Sequence, residues 1–282
     1  MLSTASVKKD VRENYTRLVY AAARLRALQQ TDSLYNRLNQ AAQLSKKTGA
    51  ISGLEALNIE TERARVQQQL LQATQELELA RSRLQLITGI NLKTVSLPEH
   101  MEVTNRSDMQ AGNYPLVTFY EAQQQLRKRE LDRERWRLAP GLTFGYLNQA
   151  APNTAWDMRL QYGLRIPLFF GGQLAGIRVA RLELEKAGSE LSLARLNTEL
   201  TYAETVTRYT QSLQQITFYE NSALPQSRKL RDASELSYRN GEIGIIQHLF
   251  TLRNVSQTEL DYLDALQQYQ LSLTQWLYLK GL

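Results

Sequence analysis

The stretch YRNGEIGIIQHLF, residues 238–250, breaks two long segments of helical pattern at Gly241 and Gly244. It has a twin upstream. LSKKTGAISGLEAL (44–57) aligns with LSYRNGEIGIIQHL (236–249), placing Gly241 on Gly49 at an offset of 241 − 49 = 192. The register then holds without a gap to the end, where Gly281 falls on Gly89 (281 − 89 = 192). Leu44 and Leu236, Ser45 and Ser237, Ile51 and Ile243, Leu57 and Leu249, Leu71 and Leu263, Ala73 and Ala265, and Leu79 and Leu271 are identical pairs. Self-similarity at a fixed offset marks one structural unit used twice.

Beyond each turn the apolar pattern steps by four and three, the seam of a coiled coil. In the first copy the seam is Val66, Leu70, Ala73, Leu77, Ala80, Leu84 and Ile87. Shifted by 192 it becomes Thr258, Tyr262, Ala265, Tyr269, Ser272, Trp276 and Leu279. Small residues at 73/265 and 80/272 allow close approach of neighbouring helices. Each copy therefore reads as helix, tight glycine turn, returning helix.

Composition agrees with long amphipathic helices. The 282 residues are 43% hydrophobic, with a mean hydropathy of −0.42 and six prolines. Basic residues exceed acidic ones by six, but the two signs are interleaved, which describes a solvated helix surface and not a nucleic-acid face. The absence of cysteine excludes disulfides, thiolate metal sites and cysteine nucleophiles. MLSTASVKKDVRENY has no apolar run of signal-peptide length, and no later stretch approaches the roughly 18 apolar residues of a membrane helix.

Upstream of the second turn the helical pattern runs over 173–239, about 100 Å of helix at 1.5 Å per residue, with Pro225 expected to kink or break it near ENSALP. By the offset, residue 1 corresponds to residue 193. The expectation is a truncated first repeat over 1–89, short by on the order of one hundred residues, in a chain cut from a longer polypeptide.

Residues 90–113 read as a linker, and residues 114–282 as the second repeat: a helix over 115–138, a β-hairpin over 141–168, a long helix over 173–239 and a return helix over 246–280. In the hairpin the period changes to two. Leu142, Phe144 and Tyr146 on the first strand, and Met158, Leu160, Tyr162, Leu164 and Ile166 on the second, take one face; AAPNTA supplies the turn. Strands of this length with apolar-out, polar-in alternation and Trp156 nearby fit a transmembrane barrel. A hairpin packed by one face on a soluble core fits the same alternation. A lone hairpin is only marginally stable in water, so this one is expected to pair with other chains or with the missing copy.

PGLTFGYL entering the strands, RIPLFFGGQLAGIRVA leaving them, YRNGEIGIIQHL at the turn and a return helix ending in LYLKG resemble a TolC-like outer membrane efflux protein over nearly the whole chain. Within that family the chain is most similar to the channels of heavy-metal (Cus/Czc-type) RND efflux systems. The resemblance implies a homotrimer whose strands form one shared barrel in outer membrane lipid and whose helices form a periplasmic tunnel. It also implies docking of the helix tips on a periplasmic adaptor and an inner-membrane RND pump. Carried over by position, Tyr238, Gly241, Glu242 and Ile243 sit in the second tip, and Lys47, Gly49, Ala50 and Ile51 in the first. Glu55 and Gln247, equivalent through the offset, fall where many relatives place an aspartate lining the aperture, and only the first copy keeps an acid there. Family members carry two β-hairpins per protomer, and this chain carries one.

Other features point to packing. His248 lies beside the turn without a second His, Cys or acidic cluster, and His100 lies in the linker; neither suggests a metal site. FFGGQLAG lacks the GxGxxG spacing of a phosphate loop and reads as the swivel from strand to helix. Tyr262, Tyr269 and Trp276 form a stripe at heptad spacing. No nucleophile with a base, no paired catalytic carboxylates and no cofactor motif occurs, which points away from an enzyme. The remaining alternative to an efflux duct is a soluble coiled-coil scaffold.

Overall fold

A computed structural model describes residues 2–92, 97–98, 103, 112, 114–148, 158–165 and 171–282. Its helices are α1 (Leu2–Lys47), α2 (Gly53–Thr88), α3 (Pro115–Trp136), α4 (Gly171–Phe218), α5 (Leu224–Arg239) and α6 (Ile245–Leu279). A π-helical turn, Tyr219–Ala223, joins α4 to α5, and strands β1 (Gly141–Asn148) and β2 (Met158–Arg165) lie between α3 and α4. The described residues are thus mainly α, built from long helical hairpins with one β-hairpin.

The repeat is written in the backbone. Among the described residues the glycines with positive φ are Gly49 (74°), Gly89 (70°), Gly241 (75°) and Gly281 (75°), two pairs at the offset of 192. Each stands where a helix ends, because a left-handed residue stops the helical ladder and glycine adopts that conformation without a Cβ penalty.

The compact units do not follow the two sequence repeats. Residues 1–112 and 201–282 form one unit, and residues 113–200 the other. In the first unit α1 and α2 make one antiparallel hairpin and α5 and α6 another, with α6 lying against α1. Burial of α6 against α1 joins the ends of both copies in one core. Leu18, Ala21 and Ala22 of α1 pack on Leu77, Ala80 and Leu84 of α2. Tyr209 and Ile216 of α4 pack on Ala265, Leu266, Tyr269, Leu273 and Trp276 of α6.

Of the first expected seam, Val66, Ala73, Leu77, Ala80 and Leu84 are buried and Leu70 is half-buried. Ile87 is 42% exposed; beyond Leu84 the packing against α1 passes to Leu92 and Leu97 of the following chain. In the second seam Ala265, Tyr269, Ser272 and Trp276 are buried, and Thr258, Tyr262 and Leu279 are partly buried.

The single helix expected over 173–239 is divided. Pro225 has no N–H to donate and its ring crowds the carbonyl four residues back, and the chain widens into the π turn immediately before it. The helix expected over 115–138 ends at Trp136. Leu138 N–H donates to Arg135 O at 3.1 Å and Ala139 N–H to Trp136 O at 3.0 Å, a tightened last turn imposed by Pro140, which disfavours helical geometry at the residue before it. The return helix expected over 246–280 runs one residue earlier, because Gly244 is its extended N-cap and Lys280 its C-cap.

In the second unit α3 and the first part of α4 run antiparallel, tied by Arg195 to Glu121 at 2.7 Å and Arg127 to Glu183 at 4.0 Å. Gly188 lets them approach, since a Cβ there would lie 3.3 Å from Gln124 Nε2. The β-hairpin links these helices. Its register sets Leu142 opposite Leu164, Phe144 opposite Tyr162, Tyr146 opposite Leu160 and Asn148 opposite Met158. Directly opposed residues share a face, so the register aligns the apolar positions of both strands. Ile166, Trp156 and His100 lie outside the described residues.

Candidate functional site

The two glycine turns are built alike. In the first, Gly49 N–H donates to Lys46 O at 3.1 Å and Ala50 N–H to Ser45 O at 2.8 Å. In the second, Gly241 N–H donates to Tyr238 O at 3.1 Å and Glu242 N–H to Ser237 O at 2.9 Å. These bonds match atom for atom at the offset of 192 and form the Schellman motif, which satisfies the last carbonyls of α1 and α5.

The structure brings the turns together. Tyr35, Leu38 and Ala42 of α1, Ile59 and Val66 of α2, and Ile245, Leu249 and Leu252 of α6 make one buried cluster. Ile51 from the first turn and Tyr238 from beside the second both pack against it. Arg253 of α6 approaches Glu62 of α2 at 3.7 Å, an ion pair across the copies. Lys47, Gly49 and Ala50, and Gly241, Glu242 and Gln247, are exposed around this cluster, and Ile243 is half-exposed.

Glu55 starts α2. Its carboxylate accepts from Ser52 N–H at 2.7 Å while Ser52 Oγ accepts from Glu55 N–H at 3.2 Å, a capping box. The bond from the Ser52 backbone, reinforced by the Ser52 side chain, holds the Glu55 carboxyl below its ordinary range. Gln247, its equivalent, follows an N-cap Gly244 that has no side chain to complete a box. The second turn carries its acid at Glu242 instead, where Ser237 Oγ donates at 2.8 Å and Asn240 Nδ2 at 3.1 Å. Those two bonds lower the Glu242 carboxyl as well, that from Ser237 more. Each turn thus has one ionised acid, at a different position in each.

His248 is a packing residue. It is 6% exposed, its Nδ1 lies 2.8 Å from Ser234 Oγ on α5, and its ring stacks on Tyr238 at 5.0 Å between centroids with 1° between planes. The equivalents of Ser234 and His248 are Ala42 and Ala56, both buried, and that of Tyr238 is Lys46. This paired difference between the copies is the sequence signal for the contact. Among the described residues no group of three or more His, Cys, Asp or Glu side chains is placed to hold a metal ion, and no helix is long and apolar enough to cross a membrane.

On the hairpin, Leu142, Phe144, Tyr162 and Leu164 are 60–75% exposed, and Phe144 meets Tyr162 edge to face at 5.7 Å. The opposite face pairs Thr143 with Gly163 and Gly145 with Gln161, and Thr143 Oγ1 donates to Gly163 O at 3.2 Å. Met158, Leu160 and Tyr146 hold the register positions given above.

No protein-family model matches the sequence, and no curated protein matches it. Solved structures do. The outer membrane protein VceC from Vibrio cholerae superposes with a TM-score of 0.81 at 15% identity, over 97% of this chain and 69% of that one. A membrane protein from Pseudomonas aeruginosa gives 0.80 at 14% identity, over 98% of this chain and 68% of that one. CusC, described as forming a transmembrane channel, gives 0.75 at 16% identity, over 97% and 68%. The chain thus spans about two thirds of the length of these proteins and carries the TolC-like fold of outer membrane channels.

Proposed function

We propose that this chain is the larger part of an outer membrane efflux duct, the passive exit channel of a tripartite RND-type system exporting heavy-metal cations or drugs. The duct is a homotrimer with strands in outer membrane lipid and helices in the periplasm. Its helix tips, at residues 47–55 and 238–247, dock on a periplasmic adaptor coupled to an inner-membrane pump and line the aperture. Rotation about Gly49 and Gly241 gives the helix pairs their freedom to swing.

The observation that carries this reading is the exposed apolar face of the hairpin. Four large apolar side chains lie open on one face, opposite a face of Thr, Gly and Gln positions. In a soluble scaffold such a face would be buried against a core; in a barrel wall it faces lipid.

Arginine scanning of the full-length protein tests it. Phe144→Arg and Leu164→Arg should prevent assembly into outer membranes, at a cost of roughly 2–4 kcal/mol for a charge near the bilayer midplane, whereas Thr143→Arg should assemble. Equal recovery of all three variants in outer membrane fractions would overturn the duct.

A further inference from the structure

Helix α5 is held at its turn end by a contact the first copy lacks. Ser234 on α5 and His248 on α6 are both buried and hydrogen-bonded across the hairpin, and Tyr238 closes over the imidazole. At the equivalent place stand Ala42 of α1 and Ala56 of α2, at 0% and 1% exposure. The first hairpin places two alanines where the second places a serine and a ring that can take up a proton.

We propose that Ser234, His248 and Tyr238 form a proton-released latch that holds α5 on α6 at the second turn only. The cleft over His248, about 280 Å³, is lined by Arg37 of α1 and by Arg231, Glu235, Tyr238 and Arg239 of α5. Arg231 is ion-paired to Asp232 at 3.2 Å. Glu235 is itself ion-paired to Arg239. His248 also lies in the first turn of α6, where the helix dipole opposes a cation. The serine hydroxyl can donate to a neutral ring or accept from a charged one, so protonation is opposed by the burial of the charge and not by the hydrogen bond. Burial accordingly holds His248 below its ordinary range, with Glu235 offsetting part of the effect. The closed contact is at full strength above about pH 6.5, the value for free histidine, and is lost as pH falls through the lower value of the closed state. The latch belongs to the helix pair itself; its use as a gate control rests on the duct reading. A failure of the latch leaves the hairpin test untouched.

Because the chain has no cysteine, a spin-label pair at Leu236→Cys and Phe250→Cys, both exposed sites, reports the α5–α6 separation without background. One short distance is expected near pH 8. A longer one should grow below about pH 6.5, its ratio to the short one rising by up to about tenfold per pH unit for one proton. His248→Phe keeps the stacking ring without the proton site and should abolish the pH response, while Ser234→Ala should populate the longer distance already near pH 8. His248→Gln serves the same comparison if the Phe variant loses helicity. An undiminished response in His248→Phe and His248→Gln, or no longer distance in the parent down to about pH 5, would overturn the latch.

Discussion

Ser212 on α4 and Ser227 on α5 are both buried and stand 227 − 212 = 15 residues apart, one more than two heptads. On either side the spacing is seven, with Thr198, Thr205 and Ser212 before and Ser227 and Ser234 after. A π turn is one residue inserted into an α-helix. Tyr219–Ala223 therefore resets the buried stripe so that α4 and α5 keep the same face inward across Pro225, and Glu220, within the turn, accepts from Tyr262 of α6 at 2.8 Å.

Deleting Asn221 together with Pro225→Ala should convert the segment to a continuous α-helix with its stripe intact. Thermal unfolding is expected within a few degrees of the parent. Deleting Thr210 instead rotates one part of the stripe by about 100° relative to the other, and a much larger loss is expected. Equal destabilisation by the two deletions would contradict the role given to the π turn.

The extended N-caps of α2 and α6 match closely, with φ −72° and ψ 157° at Ser52 and φ −75° and ψ 161° at Gly244. Ser52→Ala should cost about 1 kcal/mol. Gly244→Ser, with nothing within 4 Å of the new Cβ and Gln247 already three residues on, should complete a second capping box and stabilise by a few tenths of a kcal/mol. Urea denaturation of each variant measures both.

At Gly49 and Gly241 the space around a Cβ is open, so a substitution meets backbone strain and no clash. Gly49→Ala and Gly241→Ala should each cost about 1–2 kcal/mol, and the asparagine variants less. Similar losses for alanine and asparagine would show that something other than the left-handed backbone is at stake.

Alkali should loosen the first unit through two buried phenols. Burial, aided by the Asp264 carboxylate that accepts its hydroxyl, pushes Tyr20 up to about 12, and burial pushes Tyr35 up to about 12 near Glu62. Both favour the protonated folded state, so their contribution is full below pH 10 and lost as pH rises toward 12. Tyr20→Phe with Tyr35→Phe should flatten the fall of urea stability over that range.

The two glycine turns, the seams and the alternating hairpin were legible because each rests on residues near one another in sequence. Gly241 on Gly49 and Ala265 on Ala73 need only the offset to be seen, and Leu142 and Leu164 only a period of two. The roles within the turns were less legible. The bond from Ser52 to Glu55 at the start of α2 needed the backbone to be seen, and His248, readable as surface or packing, proves to be buried against Ser234.

By itself the sequence determined where helices stop, where strands alternate and that one unit occurs twice, since periodicity and the left-handed freedom of glycine act locally. Only the tertiary structure decided that α6 lies against α1, so that Tyr35, Ile59 and Leu249 share one cluster and Arg253 reaches Glu62 across the copies. Burial is nondirectional and its partners are distant in the chain, so a repeat pattern states which face of a helix is apolar without stating which other face covers it.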